Sequence, residues 1–416
     1  METKEKDLKQ AFYAQPFLKI IGAWPIVIES SLSSKIRKWF IISFSISLQM
    51  CIVVPCILVM FLKEKNGRRK INLFMLLTNI LNQVFKYVIT LNRANELRIA
   101  IHEIKKDWLT ATPEDRFIFV TNSRIGQRIM LIIAVIMYSS GLGYRMVLPL
   151  LKGKIVLPNN VTIRLLPCPT YFTFFNELVS PYYEIIFMLQ ILAGFFIYTV
   201  LSGTIGISLM LSLHMCSLLK ILRRKMIDLA DGSITSENTM QKRIVDIVEY
   251  QTKIKRFLGN TELITQYFCF YEISCNTCLI CFIGYCIILE WENRNVIAIV
   301  VHFMLLGTCI FVTYIVCYIG QLLLDEVVQT ALLQSRVIIY FNMNLYFQSN
   351  NLARTCITLN WYHFPTRKAR CLILIIIMSN YPVKLTAAKV VDVSLTTFTD
   401  VMKAAMGYLN MLREVT

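Results

Sequence analysis

Three stretches of this chain run far too long without charge to be strands or buried segments of a soluble domain. No charged residue occurs from 39 to 62, only His214 could carry charge between 185 and 219, and only His302 between 295 and 324. Buried strands of soluble proteins use apolar runs of about 4 to 8 residues, whereas crossing a bilayer takes about 20. Composition agrees: of 416 residues 56% are hydrophobic and 17% charged. A lipid-embedded chain is therefore expected, with the bilayer itself as its first partner. Seven candidate spans follow, at 39–62, 71–91, 129–151, 183–215, 263–290, 295–324 and 391–412. The fourth and sixth exceed what a bilayer needs, so they should tilt or protrude as helices. The expected class is an all-α membrane protein of seven transmembrane helices.

The net charge of +17 raises the question of nucleic acid. Its distribution argues against that partner, because Lys and Arg lie between the spans and no basic cluster carries aromatics spaced to stack bases. Their placement instead sets topology, since short cytosolic connections collect them. The segment before the first span holds seven, the second connection seven and the fourth, 216–262, nine. The third holds three, the fifth one and the first five, the last count running against the trend. The N-terminus is thus expected in the cytosol and, after seven spans, the C-terminus outside. The sequon Asn160-Val161-Thr162 then falls in an outer connection, where Asn160 is a candidate glycosylation site and the chain a candidate glycoprotein. No cleavable signal peptide precedes the first span, because the opening residues 1–38 are charged and mixed, a cytosolic segment.

Catalytic and metal chemistry find no support. The four histidines (His102, His214, His302, His363) are scattered, where a membrane-embedded enzyme would cluster His, Asp and Glu near one membrane face. Of thirteen cysteines most lie inside apolar runs, and Cys278 and Cys281 form C-x-x-C with no second ligand pair nearby, so small packed residues are the simpler reading. No enzyme activity, cofactor or metal is expected. A G-protein-coupled receptor would have the opposite orientation. A transporter would need Gly/Pro-broken helix pairs at the midplane.

The connection 216–262 alternates charge with apolar residues at helical spacing around a turn at Asp231-Gly232-Ser233. It fits a cytosolic helical hairpin, either part of a platform or a solvated amphipathic pair. The last span is too polar for lipid. At 100° per residue Thr396, Asp400, Lys403, Gly407, Asn410 and Glu414 share one stripe, with Phe398, Val401, Met402, Ala405, Leu409 and Leu412 opposite. Charge facing lipid costs at least several kcal/mol, so the polar stripe must face water or protein. An aqueous pore satisfies that requirement; so does a peripheral helix whose charges pair with neighbours.

Several stretches carry a family resemblance. Pro382-Val383-Lys384-Leu385-Thr386-Ala387, Val393-Ser394-Leu395, Phe398-Thr399, Lys403, Tyr408 and Leu412 resemble the C-terminal signature of insect odorant receptors. Cys317-Tyr318-Ile319-Gly320-Gln321 and Asn360-Trp361-Tyr362 with Pro365 are similar to its flanking part. The resemblance implies an odorant-gated, non-selective cation channel. In it a ligand-tuning subunit joins a co-receptor in a heterotetramer, in the plasma membrane of a sensory dendrite, and acts in olfaction and sensory transduction. The co-receptor itself is disfavoured because 216–262 lacks its long insert. A gustatory receptor of the same fold is the nearest alternative, and a membrane transporter the alternative from a different class.

The resemblance also implies an organisation. Residues 39–324 would hold helices one to six with the hairpin 216–262, and 325–370 a cytosolic connection. Residues 371–416 would hold a cytosolic anchor helix, near 371–378, and the pore-lining helix seven. The gate of the family falls on Met411 and Val415, four apart and so on one face, with Glu414 beside them and Lys403 and Asp400 further down the pore wall. A ring of apolar side chains blocks ions by dewetting. Glu414 departs from the neutral amide of the co-receptor. A second departure is the 22-residue stretch 327–348, largely apolar with Arg336 its only charge. The family pattern has no counterpart to it, and its first Val and last Gln are compatible with the ends of a retained intron.

A small volatile or apolar ligand calls for an aromatic, Met-rich pocket with one or two polar groups. The outer halves of the spans offer Met137, Tyr138, Gly141 and Tyr144; Phe187, Gln190 and Phe195; Phe282 and Tyr285; and His302. Each taken alone is more often ordinary helix packing than a ligand contact. Gly141 and Gly143 could leave room beside the backbone, and Arg145 is expected either to snorkel or to pair with Glu184.

Overall fold

The computed structural model describes residues 8, 10–25, 32–65, 67–152, 154–156, 162–164, 166–171, 180–230, 237–292, 294, 296–348 and 386–415. Its helices are α1 (Gln15–Ile20), α2 (Leu32–Leu58, closed by a π turn Val59–Lys63), α3 (Gly67–Asn92) and α4 (Ala94–Thr110). They continue with α5 (Pro113–Lys152), α6 (Tyr182–Ala230), α7 (Glu237–Glu292), α8 (Val296–Gln348) and α9 (Leu395–Val415). Two short antiparallel hairpins interrupt them. One pairs β1 (Lys154–Val156) with β2 (Thr162–Arg164), the other β3 (Thr386–Ala387) with β4 (Val391–Asp392). The chain is an all-α membrane protein: α2, α3, α5, α6, α7 and α8 are each long and apolar enough to cross a bilayer, and α9 is the seventh membrane helix.

The helix at the centre is α6. A helix apolar on one stripe sits at a surface; one apolar all round must be surrounded. Every residue of α6 from 201 to 219 is buried, and α1, α2, α3, α5, α7 and α8 all pack on it. Its small residues allow close approach: a Cβ added at Gly206 would lie 3.0 Å from Ala14 Cβ.

The partner that uses this approach is the N-terminal segment, which folds back into the bundle. Ala14, Leu18 and Ile21 are fully buried. Gln10 carbonyl accepts from Ser123 Oγ (2.6 Å) and Gln127 Nε2 (2.9 Å) on α5, and Ile21 carbonyl accepts from Tyr87 Oη (2.5 Å) on α3. These bonds satisfy backbone that an unpaired loop would leave stranded among apolar helices.

Several helices run past the expected span limits. The third span is the outer part of α5, which begins at Pro113, and α6 continues beyond 215 to Ala230. Acidic residues of one extension meet basic residues of another: Arg224 of α6 bonds Asp115 (2.5 Å) and Glu114 (3.2 Å) of α5, and Lys220 and Arg223 reach Glu326 of α8 (3.2 and 3.3 Å). The turn at 231–233 and the anchor segment at 371–378 lie outside the described residues. The stretch 327–348 continues α8 without a break, with Thr330 and Gln334 buried and Gln329 Oε1 accepting from Arg223 Nη1 at 2.5 Å. The last helix starts at Leu395, four residues later than the span expected from 391, because Val391 and Asp392 pair with the β3 strand and Ser394 caps the helix, its Oγ 3.4 Å from Thr397 N.

Candidate functional site

The expected ligand residues fall into two groups. The first lies between α5 and α6. Tyr138 Oη is 2.7 Å from Thr199 Oγ1, and its ring packs against Phe195 with centroids 5.5 Å apart. Thr199 Oγ1 donates to the Phe195 carbonyl at 2.7 Å, so Tyr138 must be the donor to Thr199. Met137, one residue earlier and on another face, is buried in an apolar cluster with Ile133, Leu201 and Ile205. Phe187 stacks on Tyr183 at 5.9 Å. Beside Gly141 the space expected to be open is taken by the Tyr198 ring, whereas nothing lies within 4 Å of a Cβ at Gly143. The Tyr144 side chain is outside the described residues.

Gln190 is spoken for in a different way. Its Oε1 accepts from Cys168 N (2.9 Å) and its Nε2 donates to Cys168 O (3.0 Å). One buried amide thus satisfies both backbone groups of a connection residue, holding the 166–171 segment down onto the bundle. Arg145, only 3% exposed, donates to the Gln190 carbonyl (3.3 Å) and lies over the Tyr198 ring (5.8 Å). Lys63 caps the same segment from α2, its ammonium 5.0 Å from the Tyr171 ring centroid.

The second group lies across the bundle. Phe282 on α7 meets Phe74 of α3 edge-on at 5.5 Å, Tyr285 is buried one turn further along, and His302 Nδ1 bonds Ala298 O of its own helix at 2.7 Å.

The C-terminal helix α9 packs on α7 and α8 through one side only. Val401 and Ala405 are buried, and Leu409 lies against Gly284 of α7. Phe398 meets Tyr314 of α8 edge-on at 5.7 Å. The opposite stripe, Thr396, Asp400, Lys403, Gly407, Asn410 and Glu414, is exposed throughout, as is Met411 at 64%. The Val415 side chain lies outside the described residues, as does Asn160. The base of α9 is staked to its neighbours: Thr386 Oγ1 bonds Glu262 Oε1 (2.6 Å), Ala388 N donates to Gln266 O (3.1 Å) and Leu395 N to Gln321 Oε1 (3.3 Å). Gly320 is required there, because a Cβ would collide with the Val393 carbonyl.

Two buried polar clusters escape a reading of the sequence for pockets. Asp107 of α4 accepts from Lys253 of α7 and lies 3.2 Å from His214 Nε2 of α6, whose ring stacks on Phe119 at 5.2 Å. Burial pushes the Asp107 carboxyl up, but the His214 and Lys253 interactions outweigh it and hold it below the usual carboxylate range. Lys86 of α3 pairs with Glu272 of α7, at 1% and 4% exposure. The signal for this second cluster was in the sequence, since a charge inside an apolar span demands a partner.

Comparison with known proteins places this geometry. The model of the 7tm Odorant receptor family matches residues 69–331 and 328–406. A curated relative, Odorant receptor 30a of Drosophila melanogaster, is 20% identical over 268 residues, spanning 63% of this chain and 63% of that receptor's length. Among solved structures, olfactory receptor OR5 of Machilis hrabei in complex with eugenol matches with a TM-score of 0.73 at 14% identity, covering 98% of both chains. The same receptor in a second structure matches with a TM-score of 0.72 at 14% identity over 97% of both. With the family model matched over most of its length and this fold shared end to end, the chain belongs to the insect odorant receptor family.

Proposed function

We propose that this chain is the ligand-tuning subunit of an odorant-gated, non-selective cation channel. It assembles with a co-receptor as a heterotetramer in the plasma membrane of a sensory dendrite. The observation that carries this reading is the one-sided packing of α9. Its apolar side rests on α7 and α8, and its opposite side exposes Asp400, Lys403, Asn410 and Glu414 along a membrane helix. Hydrocarbon would not tolerate that stripe, and water in a pore shared with other subunits would. Met411 and Val415 then form this subunit's share of the apolar gate, and Glu414 lies at the outer mouth.

The ligand is a small volatile or apolar molecule. The α5–α6 group, with the aromatic side chains Tyr138, Phe195 and Tyr198 and the Tyr138–Thr199 hydroxyl pair, suits such a molecule better than the α7–α8 group, whose His302 is bonded within its own helix. The olfactory receptor OR5 of Machilis hrabei, which shares this fold, is in complex with eugenol. The resemblance puts the contact that holds the subunits together on the cytosolic side, and the stretch 327–348, which the family pattern lacks, falls next to it in the sequence.

Co-expression with the co-receptor in a cell line, with currents recorded against a panel of small volatiles, tests the reading. Ligand-evoked inward cation current is expected only when both proteins are present. Surface-expressed protein that stays silent to the whole panel would sink it.

A further inference from the structure

The Lys86–Glu272 pair sits within the membrane-spanning parts of α3 and α7, 186 residues apart in the chain. Glu272 takes donors from two helices, α3 and its own. Besides Lys86 Nζ, its Oε2 receives Asn82 Nδ2 (3.4 Å) and its Oε1 receives Asn276 Nδ2 (3.1 Å), which also reaches Thr313 Oγ1 of α8 at 3.2 Å. An ion pair with this many partners in a low-dielectric interior is costly to break, because rupture leaves a buried charge unpaired. Membrane proteins rarely place such charges in a span without use for them.

The position of the pair gives it that use. On the cytosolic side of Glu272, α7 holds the β3–β4 hairpin through Glu262 and Gln266; on the outer side it holds α9 through Gly284. Glu272 lies between these attachment points. A cavity of about 20 Å³, room for one water, opens beside the pair and is walled by Thr204, Ser208, Thr265 and Val393. Val393 is the residue through which β4 enters α9. Lys86, Glu272 and the foot of α9 therefore share one chamber.

The geometry points to Lys86 and Glu272 as the fastening that holds α7, and through it the pore helix α9, against α3 in the resting arrangement. Lys86 and Glu272 are positioning residues, acting on the pore through α7. A movement of α7 along α3 beyond the reach of the two side chains breaks the pair. Removing it removes that cost and shifts the equilibrium away from rest. The inference deepens the channel reading and rests on it for its electrical readout.

Two readouts separate the fastening from the channel reading. The first is ligand-independent current in the co-expressed channel. The second is the labelling rate of Asn410→Cys by an impermeant thiol reagent, which reports on α9 without current. Lys86→Met and Glu272→Gln are each expected to raise both by about tenfold, and Lys86→Glu with Glu272→Lys to return both toward wild type. Asn276→Ala leaves no charge unpaired and should act in the same direction more weakly. It serves where the single charge variants fail to reach the surface. A wild-type protein that conducts, with variants that reach the surface and change neither readout, overturns the fastening. So does a charge swap that behaves as the sum of its single changes. A wild type that passes no current while labelling follows the pair removes the channel reading and leaves the fastening standing.

Discussion

Asp107 gathers α4, α6 and α7 into one point, accepting from Lys253 and lying 3.2 Å from the His214 ring, itself wedged between Phe119 and Phe257. Its depressed carboxyl pKa fixes the sign of its pH dependence. A carboxyl that is harder to protonate when folded stabilises the fold fully above the ordinary carboxylate range, and loses that contribution as pH falls through its own lowered value. Asp107→Asn removes the charge at every pH and leaves Lys253, itself partly exposed, to solvent. A loss of about 1–3 kcal/mol is expected, read as a lower melting temperature of detergent-solubilised protein by fluorescence size-exclusion. An unchanged melt would show the cluster to be incidental. Tyr138 separates a ligand role from a folding one. Because Thr199 keeps its bond to the Phe195 carbonyl, Tyr138→Phe strands no buried donor and should leave surface expression intact. The half-activating concentration of odorants that hydrogen-bond should rise about two- to tenfold, with purely hydrocarbon odorants unaffected. An equal shift for both classes would place Tyr138 in packing alone.

At the scale of elements, α9 shows what a sequence can and cannot carry. Its polar and apolar stripes follow from 3.6-residue periodicity, and the buried Val401 and Ala405 with the exposed Asp400 and Lys403 occupy the sides that periodicity assigns. Its start at Leu395 did not follow, because Val391 and Asp392 are apolar and acidic residues that fit either a helix or the two-residue ladder with β3. The buried N-terminal segment was equally silent: the stretch 10–25 has no long apolar run, and only the small residues of α6 that receive it hint at a guest. Pairs such as Lys86 with Glu272 or Gln190 with Cys168 depend on which helices become neighbours, and no local pattern encodes that. If α9 lines a pore, a polar residue in its gate lowers the cost of wetting. Met411→Ser or Val415→Ser is expected to raise ligand-independent current in the co-expressed channel. Glu414→Gln should instead lower the preference for divalent cations, because a carboxylate at a pore mouth concentrates them. Reversal-potential shifts in calcium measure the second effect, and an unchanged selectivity would move Glu414 off the ion path. Cysteines at 411 and 415 that never react from outside, beside reactive ones on the Phe398 side, would show the helix turned the other way.

For the whole molecule, the decisive quantity is which side of the membrane each extension faces. The bundle is asymmetric in charge: α4, the first turns of α5, the far end of α6 and the start of α7 carry most of the basic residues between the spans and the ion pairs that join them, with the basic connection 63–70 at the other end as the exception. The opposite end carries the short β1–β2 hairpin and the 166–171 segment clasped by Gln190. Basic residues that fail to translocate remain cytosolic, so the helical extensions belong inside and the hairpin outside. This assignment puts the foot of α9, with its attachments to Glu262 and Gln266, on the cytosolic side, and Met411 near the outer end. It also makes the gate accessible to reagents from outside, which the cysteine experiments require. Epitope tags at 159–160 should therefore stain intact cells, and tags at 232–234 should stain only after permeabilisation. Enzymatic deglycosylation should shift the mobility of wild type and leave Asn160→Gln unchanged. A reversed staining pattern would turn the bundle over, placing α9's outer end in the cytosol and the ion-paired extensions outside, and would remove both the pore-mouth role of Glu414 and the cytosolic anchorage together.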